Sequence, residues 1–438
     1  MSCSDKLICE NLAPDTDNSL LFNNHDVCEL ARKYGTPLYV MDADRIRNRC
    51  REIKSAVLEA FGPGSFVAYA SKAASFKEMY RIINDENMYT DVVSCGEMAT
   101  AQSAGFPLER AFFHSCNKTD EDIETGVLKK VGYFVVDNIE ELDVLNSVCE
   151  RHNCTQKVLI RLTPGIDPHT FAAVATGNVD SKFGFGITTG MAEKAVEKAL
   201  CLKHIKLCGF HCHMGSQIFD TSVLEDAAEI MLDFIAYVGD KYGFKTSLLD
   251  MGGGFAVRYT ADQKCPDVKK QINSLATCIK SKCAELGIQM PDVCFEPGRF
   301  IVADAGLTVY TVGSVKEIPG FKTYVSVDGG MTDNVRYAMY GSEYTVVYPR
   351  DVQCKCNMKC TLVGRCCESG DIIQPDIMLP ETIKRGDFVA VLTTGAYNYS
   401  MASNYNRIPR PAVVMLEGNS SKIAVRRETE SDLISLDT

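Results

Sequence analysis

Val293-Cys294-Phe295-Glu296-Pro297-Gly298-Arg299 is an apolar run broken by a Pro-Gly turn that separates a carboxylate from a guanidinium. Taken alone it reads as a strand, a turn and a surface ion pair. Its place in the chain says more. Apolar runs of strand length precede it at 66–70, 90–94, 111–115, 133–137, 158–162, 207–213 and 248–251, each followed by a stretch long enough for a helix. With 293–296 they number eight, as a closed β/α barrel requires. One intervening segment, 222–242, carries apolar residues at helical spacing behind Asp220 or Thr221 as a cap.

After Val302 the pattern changes to β-branched alternation at 308–312, 322–327, 388–392 and 422–425. Pro319-Gly320, Asp328-Gly329, Lys384-Arg385-Gly386 and Glu417-Gly418-Asn419 supply the turns of an all-β domain. The fold class expected is α/β plus all-β. A TIM-type (β/α) barrel spans 41–303, a β-sandwich or β-barrel domain spans 304–438, and an N-terminal segment over 1–40 packs with the latter.

Composition narrows the function. An apolar share of 46% and a charged share of 24% are those of an ordinary globular chain, and a net charge of -11 argues against nucleic acid as a partner. No apolar stretch reaches membrane-spanning length. Residues 1–24 are polar and acidic, unlike a signal peptide, so a cytoplasmic location is expected. The twenty cysteines are then free thiols. Cys354, Cys356, Cys360, Cys366 and Cys367 crowd together but lack the paired C-x-x-C spacing of a metal knuckle, so no metal is expected.

In such barrels the chemistry sits where strands end. Lys72, in Ala70-Ser71-Lys72-Ala73, is placed to form a Schiff base with an aldehyde cofactor. The sixth run continues as His211-Cys212-His213-Met214-Gly215-Ser216-Gln217, and alternation puts His211 and His213 on one side of the sheet. With no third metal ligand nearby, a stacking or hydrogen-bonding role for one histidine and a core position for the other is expected. Asp250-Met251-Gly252-Gly253-Gly254 ends the seventh run, and its glycines let backbone amides approach a phosphate beside Gly298-Arg299. Pyridoxal phosphate fits this set. Its ring nitrogen wants an acid partner such as Glu296, and its phosphate attracts arginine and amides.

These motifs, in this order, resemble the fold-III pyridoxal-phosphate decarboxylases of basic amino acids. The resemblance runs from Tyr34-Gly35-Thr36-Pro37 through Asp328-Gly329-Gly330-Met331, Arg336 and Tyr340 to Cys366-Cys367-Glu368-Ser369-Gly370-Asp371 and Gly395-Ala396-Tyr397-Asn398-Tyr399. Within that family it is similar to the diaminopimelate branch, and it implies an alanine-racemase-like barrel. It implies that Lys72 holds the cofactor, Glu296 pairs with the ring nitrogen and His213 stacks on the ring. Ser216, Gly252, Gly253, Gly254, Gly298 and Arg299 would surround the phosphate, with Tyr397 also reaching the cofactor. Cys367 would be the acid that protonates the carbanion. Arg336 and Tyr340, with Arg299 and Tyr397, would receive the substrate's far carboxylate, and Glu368 its far ammonium. Arg299 is open to both the phosphate and the carboxylate.

The family's homodimers share active sites, the Cys-Glu-Ser loop coming from the partner. Two departures touch the substrate side: Tyr337 stands where the family has a proline, and Phe171 follows Thr170 where a histidine is usual. Competing readings are a decarboxylase acting on ornithine, arginine, a D-amino acid or carboxynorspermidine, and a non-catalytic homologue that binds a protein. A racemase is disfavoured because its catalytic tyrosine signature is not recognisable.

Overall fold

The computed structural model describes residues 6–166 and 180–438; the departure at 167–171 lies outside them. Two compact units form. One comprises Arg49–Ala256 and Cys265–Gly298, and the other runs through Asn48, Val257–Lys264 and Arg299–Thr438.

In the first unit all eight predicted runs are parallel strands of one ring. They are Phe66–Ala70, Tyr89–Val92, Ala111–Phe113, Tyr133–Val136, Gln156–Thr163, Ile205–His211, Leu248–Asp250 and Asp292–Phe295. The eighth pairs back with the first, Cys294 opposite Phe66 and Phe295 opposite Val67, so the barrel has no open edge. Several predicted runs overshoot at their carboxyl ends. The second strand stops at Val92 because Ser94 leaves the ladder to cap the next helix, its Oγ accepting the Glu97 amide at 3.2 Å.

Large and small side chains alternate through the barrel interior. Phe66 stacks on Tyr89 at 4.2 Å and Phe112 on Tyr133 at 4.6 Å, while Ala68, Cys208 and Cys294 leave those rings their room. A fully buried phenylalanine such as Phe112 contributes about 1.5–3 kcal/mol. Outside, Ser222–Tyr242 buries Val223, Ala227, Met231, Ile235 and Val238. Asp220 accepts the Ser222 amide at 3.0 Å, and the helix stops at Gly243, whose φ is +65°. It packs on Val268–Leu286, begun by Asp267, which accepts the Lys270 amide at 3.0 Å.

The second unit is built on a sheet into which Leu38–Asp42, buried throughout, is threaded between Gly306–Ile318 and Ala412–Glu417. The N-terminal segment therefore supplies an internal strand of the C-terminal sheet. Gly306–Ile318 shifts register between Val312 and Ser314, pairing with Leu38–Asp42 and Phe388–Leu392 before the shift and Lys322–Val327 around and beyond it. Among the described residues no helix is long and apolar enough to cross a membrane.

Gly209 marks the tightest approach between barrel strands, since a Cβ there would lie 1.7 Å from the Leu248 carbonyl oxygen. Gly209→Ala is expected to destabilise the barrel by about 1–3 kcal/mol or more. The check is a lower urea midpoint at unchanged m.

Candidate active site

The barrel unit gathers its polar groups just past the carboxyl ends of its strands. Lys72 lies in the short turn Ser71–Ala73 after the first strand, and its Nζ is 3.6 Å from Asp91 Oδ2 of the second. Asp91 is fully buried and accepts the Ser71 amide at 3.0 Å, which fixes the turn that carries the lysine. Lys72 itself keeps 43% of its side chain exposed, as a lysine that reacts with an incoming aldehyde requires.

Glu296 follows the eighth strand and is buried. Its Oε1 lies 2.6 Å from His114 Nε2 and its Oε2 3.3 Å from His211 Nε2. Burial pushes the Glu296 carboxyl up, but the two imidazoles outweigh it and hold the group well below the usual carboxylate range. Asp250 ends the neighbouring seventh strand and behaves oppositely. Burial first, and then the charge of Glu296, push its carboxyl well above the ordinary value. The site thus favours the ionised form of Glu296 and the protonated form of Asp250.

The triple glycine is packed too closely for side chains. A Cβ on Gly253 would sit 2.2 Å from the Glu296 carbonyl oxygen, and one on Gly252 2.8 Å from His213 Nδ1. The Gly252 amide donates to Asp250 Oδ1 at 2.8 Å and the Gly253 amide to His213 Nδ1 at 3.2 Å, so two of the three amides serve the protein itself. His213 therefore accepts at Nδ1. Burial and the charges of Lys72 and Arg161 hold its imidazole well below its ordinary pKa, hence neutral. Half-buried Ser216 lies on the adjacent loop, which is tied down where the Ile218 amide reaches the Gly254 carbonyl at 2.9 Å. A Cβ on Gly298 would meet Ala70 Cβ at 2.9 Å, so the turn after Glu296 closes on the first strand.

The second unit carries the other predicted residues. Arg299 is buried, donates to Tyr259 Oη at 2.5 Å and has its guanidinium 4.9 Å from the Tyr397 ring. Arg336 is also buried, its guanidinium 5.1 Å from the Tyr340 ring and 5.2 Å from the Tyr397 ring. Tyr397 joins the two arginines at a backbone cost, since its φ of +68° is strained by about 1–3 kcal/mol for an aromatic residue. Half-buried Tyr337 lies within the short helix Arg336–Tyr340, beside Arg336 in sequence. Cys367 and Glu368 are exposed at the tip of a loop held by buried Asp371. Asp371 accepts the Met331 amide at 2.6 Å and the Cys366 amide at 2.7 Å.

Sequence reasoning did not single out His114, Asp91 or Tyr259. His114 and Asp91 stand at the ends of the third and second strands, a position that could have flagged them. Tyr259 carries no such signal, and only folding brings it to Arg299. Among the described residues one group of three potential metal donors comes together, His114, His211 and Glu296, and it contains no cysteine. The donor set suits pyridoxal phosphate: an accessible lysine beside a carboxylate, an ionised buried glutamate, a neutral imidazole and a cradle that side chains would fill.

Comparison with known proteins agrees with this chemistry. The family described as pyridoxal-dependent decarboxylase, pyridoxal binding domain, matches residues 43–303. The chain is 45% identical over 412 residues to the diaminopimelate decarboxylase of Bacillus subtilis (strain 168), covering 94% of this chain and 93% of that one. It superposes on the diaminopimelate decarboxylase of M. jannaschii in complex with L-lysine with a TM-score of 0.89 at 32% identity, over 98% of each chain. The lysine/ornithine decarboxylase of Vibrio vulnificus in complex with putrescine gives a TM-score of 0.75 at 26% identity, over 90% of this chain and 97% of that one.

The Asp250 assignment has a pH signature. The folded chain keeps a proton there that the unfolded chain releases above about pH 4, so the group costs stability increasingly as pH rises. Glu296 has the opposite sign, contributing above its unfolded pKa of about 4.3 and losing that contribution in acid. Asp250→Asn is therefore expected to gain on the original chain by up to about 1.4 kcal/mol per pH unit above pH 4. Denaturant midpoints at pH 5, 6, 7 and 8 read this out, and a constant gap would refute it.

Proposed function

The chain belongs to the pyridoxal-dependent decarboxylase family, and from that premise we propose that it converts meso-2,6-diaminopimelate to L-lysine and carbon dioxide with pyridoxal 5'-phosphate as cofactor. The observation that carries the substrate is Arg336. Its guanidinium is buried among tyrosine rings, its Nε has no hydrogen-bond partner, and among the described residues no carboxylate pairs with it. A buried cation without a counter-ion is expensive, and an anionic ligand relieves it. Diaminopimelate brings such an anion at the end that does not react, whereas ornithine and lysine bring only an ammonium there.

Lys72 tethers the cofactor, Glu296 pairs with its ring nitrogen, and His213 stacks on the ring. Ser216, Gly252, Gly253, Gly254, Gly298 and Arg299 hold the phosphate, with Tyr397 beside it. Pyridoxal phosphate, when bound, accepts the electron pair released as carbon dioxide leaves the α-carbon. An ionised Glu296 favours the protonated ring and so favours that acceptance. Arg336, Tyr340, Arg299 and Tyr397 orient the far carboxylate, and Glu368 takes the far ammonium.

Cys367 Sγ gives the proton that replaces the lost carboxylate. It is exposed in the single chain, which suits a loop completing the site of a partner in a homodimer. The functional division follows the sequence: 1–40 serves the β domain, 41–303 binds the cofactor and 304–438 forms the β domain, and the family match over 43–303 supports it. A cytoplasmic setting, whose reducing conditions keep cysteines as thiols, belongs to the same reading.

Carbon dioxide release from meso-diaminopimelate, lysine, ornithine and arginine, assayed in parallel, tests the substrate. Arg336→Ala should lower kcat/KM for diaminopimelate roughly a hundredfold while leaving cofactor absorbance intact. Equal activity on diaminopimelate would overturn the substrate. Cys367→Ala should keep the absorbance and lose about 10²- to 10⁴-fold in kcat. Mixing that variant with Lys72→Ala chains should restore part of the activity if sites are shared. No recovery despite demonstrated subunit exchange would contradict sharing.

A further inference from the structure

Both carboxylate oxygens of Glu296 are held by imidazoles from separate strands. His114 follows the third strand, His211 ends the sixth, and their rings meet edge to face at 4.9 Å. All three side chains are at most 7% exposed. The 2.6 Å contact between His114 Nε2 and Oε1 is a direct hydrogen bond, with no space for an ion between donor and acceptor. An ionised carboxylate offers about four acceptor positions, so two histidines leave the others open.

We infer that His114 and His211 are positioning residues, which hold the Glu296 carboxylate ionised and in one orientation so that its remaining lone pairs are left for the ring nitrogen of pyridoxal phosphate. The inference rests on the proposed pairing of Glu296 with that nitrogen. His211 Nδ1 is buried without a partner, so its proton sits on Nε2, where Glu296 needs a donor. Burial lowers the pKa of His211 to about 3, and it stays a neutral donor throughout the working pH range. The surrounding groups reinforce this arrangement. Asp91, Asp250, Cys212 and Cys294 are raised by burial and stay protonated more readily, His213 is lowered, and buried Arg161 supplies a positive charge.

The clamp does what a lone buried glutamate could not. Without donors, burial would push Glu296 toward its neutral form, and a neutral acid gives the ring nitrogen no charge to balance its proton. Two imidazole donors, one on each oxygen, keep the charge in place.

The test uses the holoenzyme and the visible absorbance of bound pyridoxal phosphate between pH 6 and 9. His114→Phe and His211→Phe remove the donor at similar volume, whereas His114→Gln and His211→Gln return an amide near the position of Nε2. The Phe variants should displace the absorbance titration by about one pH unit or more, toward that of Glu296→Gln, and lower kcat roughly 10- to 100-fold. The Gln variants should restore both to within about threefold of the original chain. If a Phe variant does not fold, the corresponding Asn variant, whose amide is too short to reach Glu296, replaces it. Phe or Asn variants that titrate like the original chain, or Gln variants as impaired as Phe, overturn the clamp. A Glu296→Gln holoenzyme with an unchanged titration overturns the pairing of Glu296 with the ring, and the clamp with it.

Discussion

Closure of the barrel between Asp292–Phe295 and Phe66–Ala70 is the constraint on which the rest of the site depends. Parallel strands joined by helices all end on one face, so the residues after each strand must converge there. Closure makes the first and last strands neighbours, and with them Lys72 and Glu296. The seam is tight. The Ala70 amide reaches the Pro297 carbonyl at 3.2 Å, and Gly298 has no space for a side chain beside Ala70. A bulkier turn at this point would part the two strand ends that carry the proposed lysine and its acid partner.

Convergence brings a cost that the remainder of the barrel offsets. Lys118 and Glu141 form a fully buried ion pair at 2.8 Å, and Arg161 faces Asp137 at 3.6 Å. Such pairs contribute little net stability, and removing one partner leaves an uncompensated charge. They ring the same face as Glu296 and Asp250. Stability comes from elsewhere, from stacked Phe66, Tyr89, Phe112 and Tyr133 inside the barrel and from apolar helix faces outside it. One part of the barrel is packed for cohesion and its carboxyl-terminal face is left polar for chemistry.

Much of this was legible before folding because the signals are local. Eight apolar runs mark eight strands, since each strand must bury most of its side chains in a parallel ring. Gly252-Gly253-Gly254 announced a backbone whose amides could approach a phosphate, whereas its crowding, and the use of two of those amides by Asp250 and His213, came only with the fold. The Cys366-Cys367-Glu368 stretch was equally visible, but the device that shapes it was not. Asp371 holds that loop by bonding backbone amides at Met331 and Cys366, and Met331 lies far away in sequence.

The order of residues by itself determined the strand count and the change to an all-β pattern after Val302, because period and turn chemistry are properties of neighbours along the chain, and its motifs carried the family resemblance that implies roles for Lys72, Glu296 and Cys367. Tertiary structure alone decided that Leu38–Asp42 would thread the C-terminal sheet, that Tyr259 would reach Arg299, and that His114 and His211 would share Glu296. Those pairings join segments distant in sequence. Their physical basis is the closure of a ring and the burial of a charge, which exist only once the chain has folded.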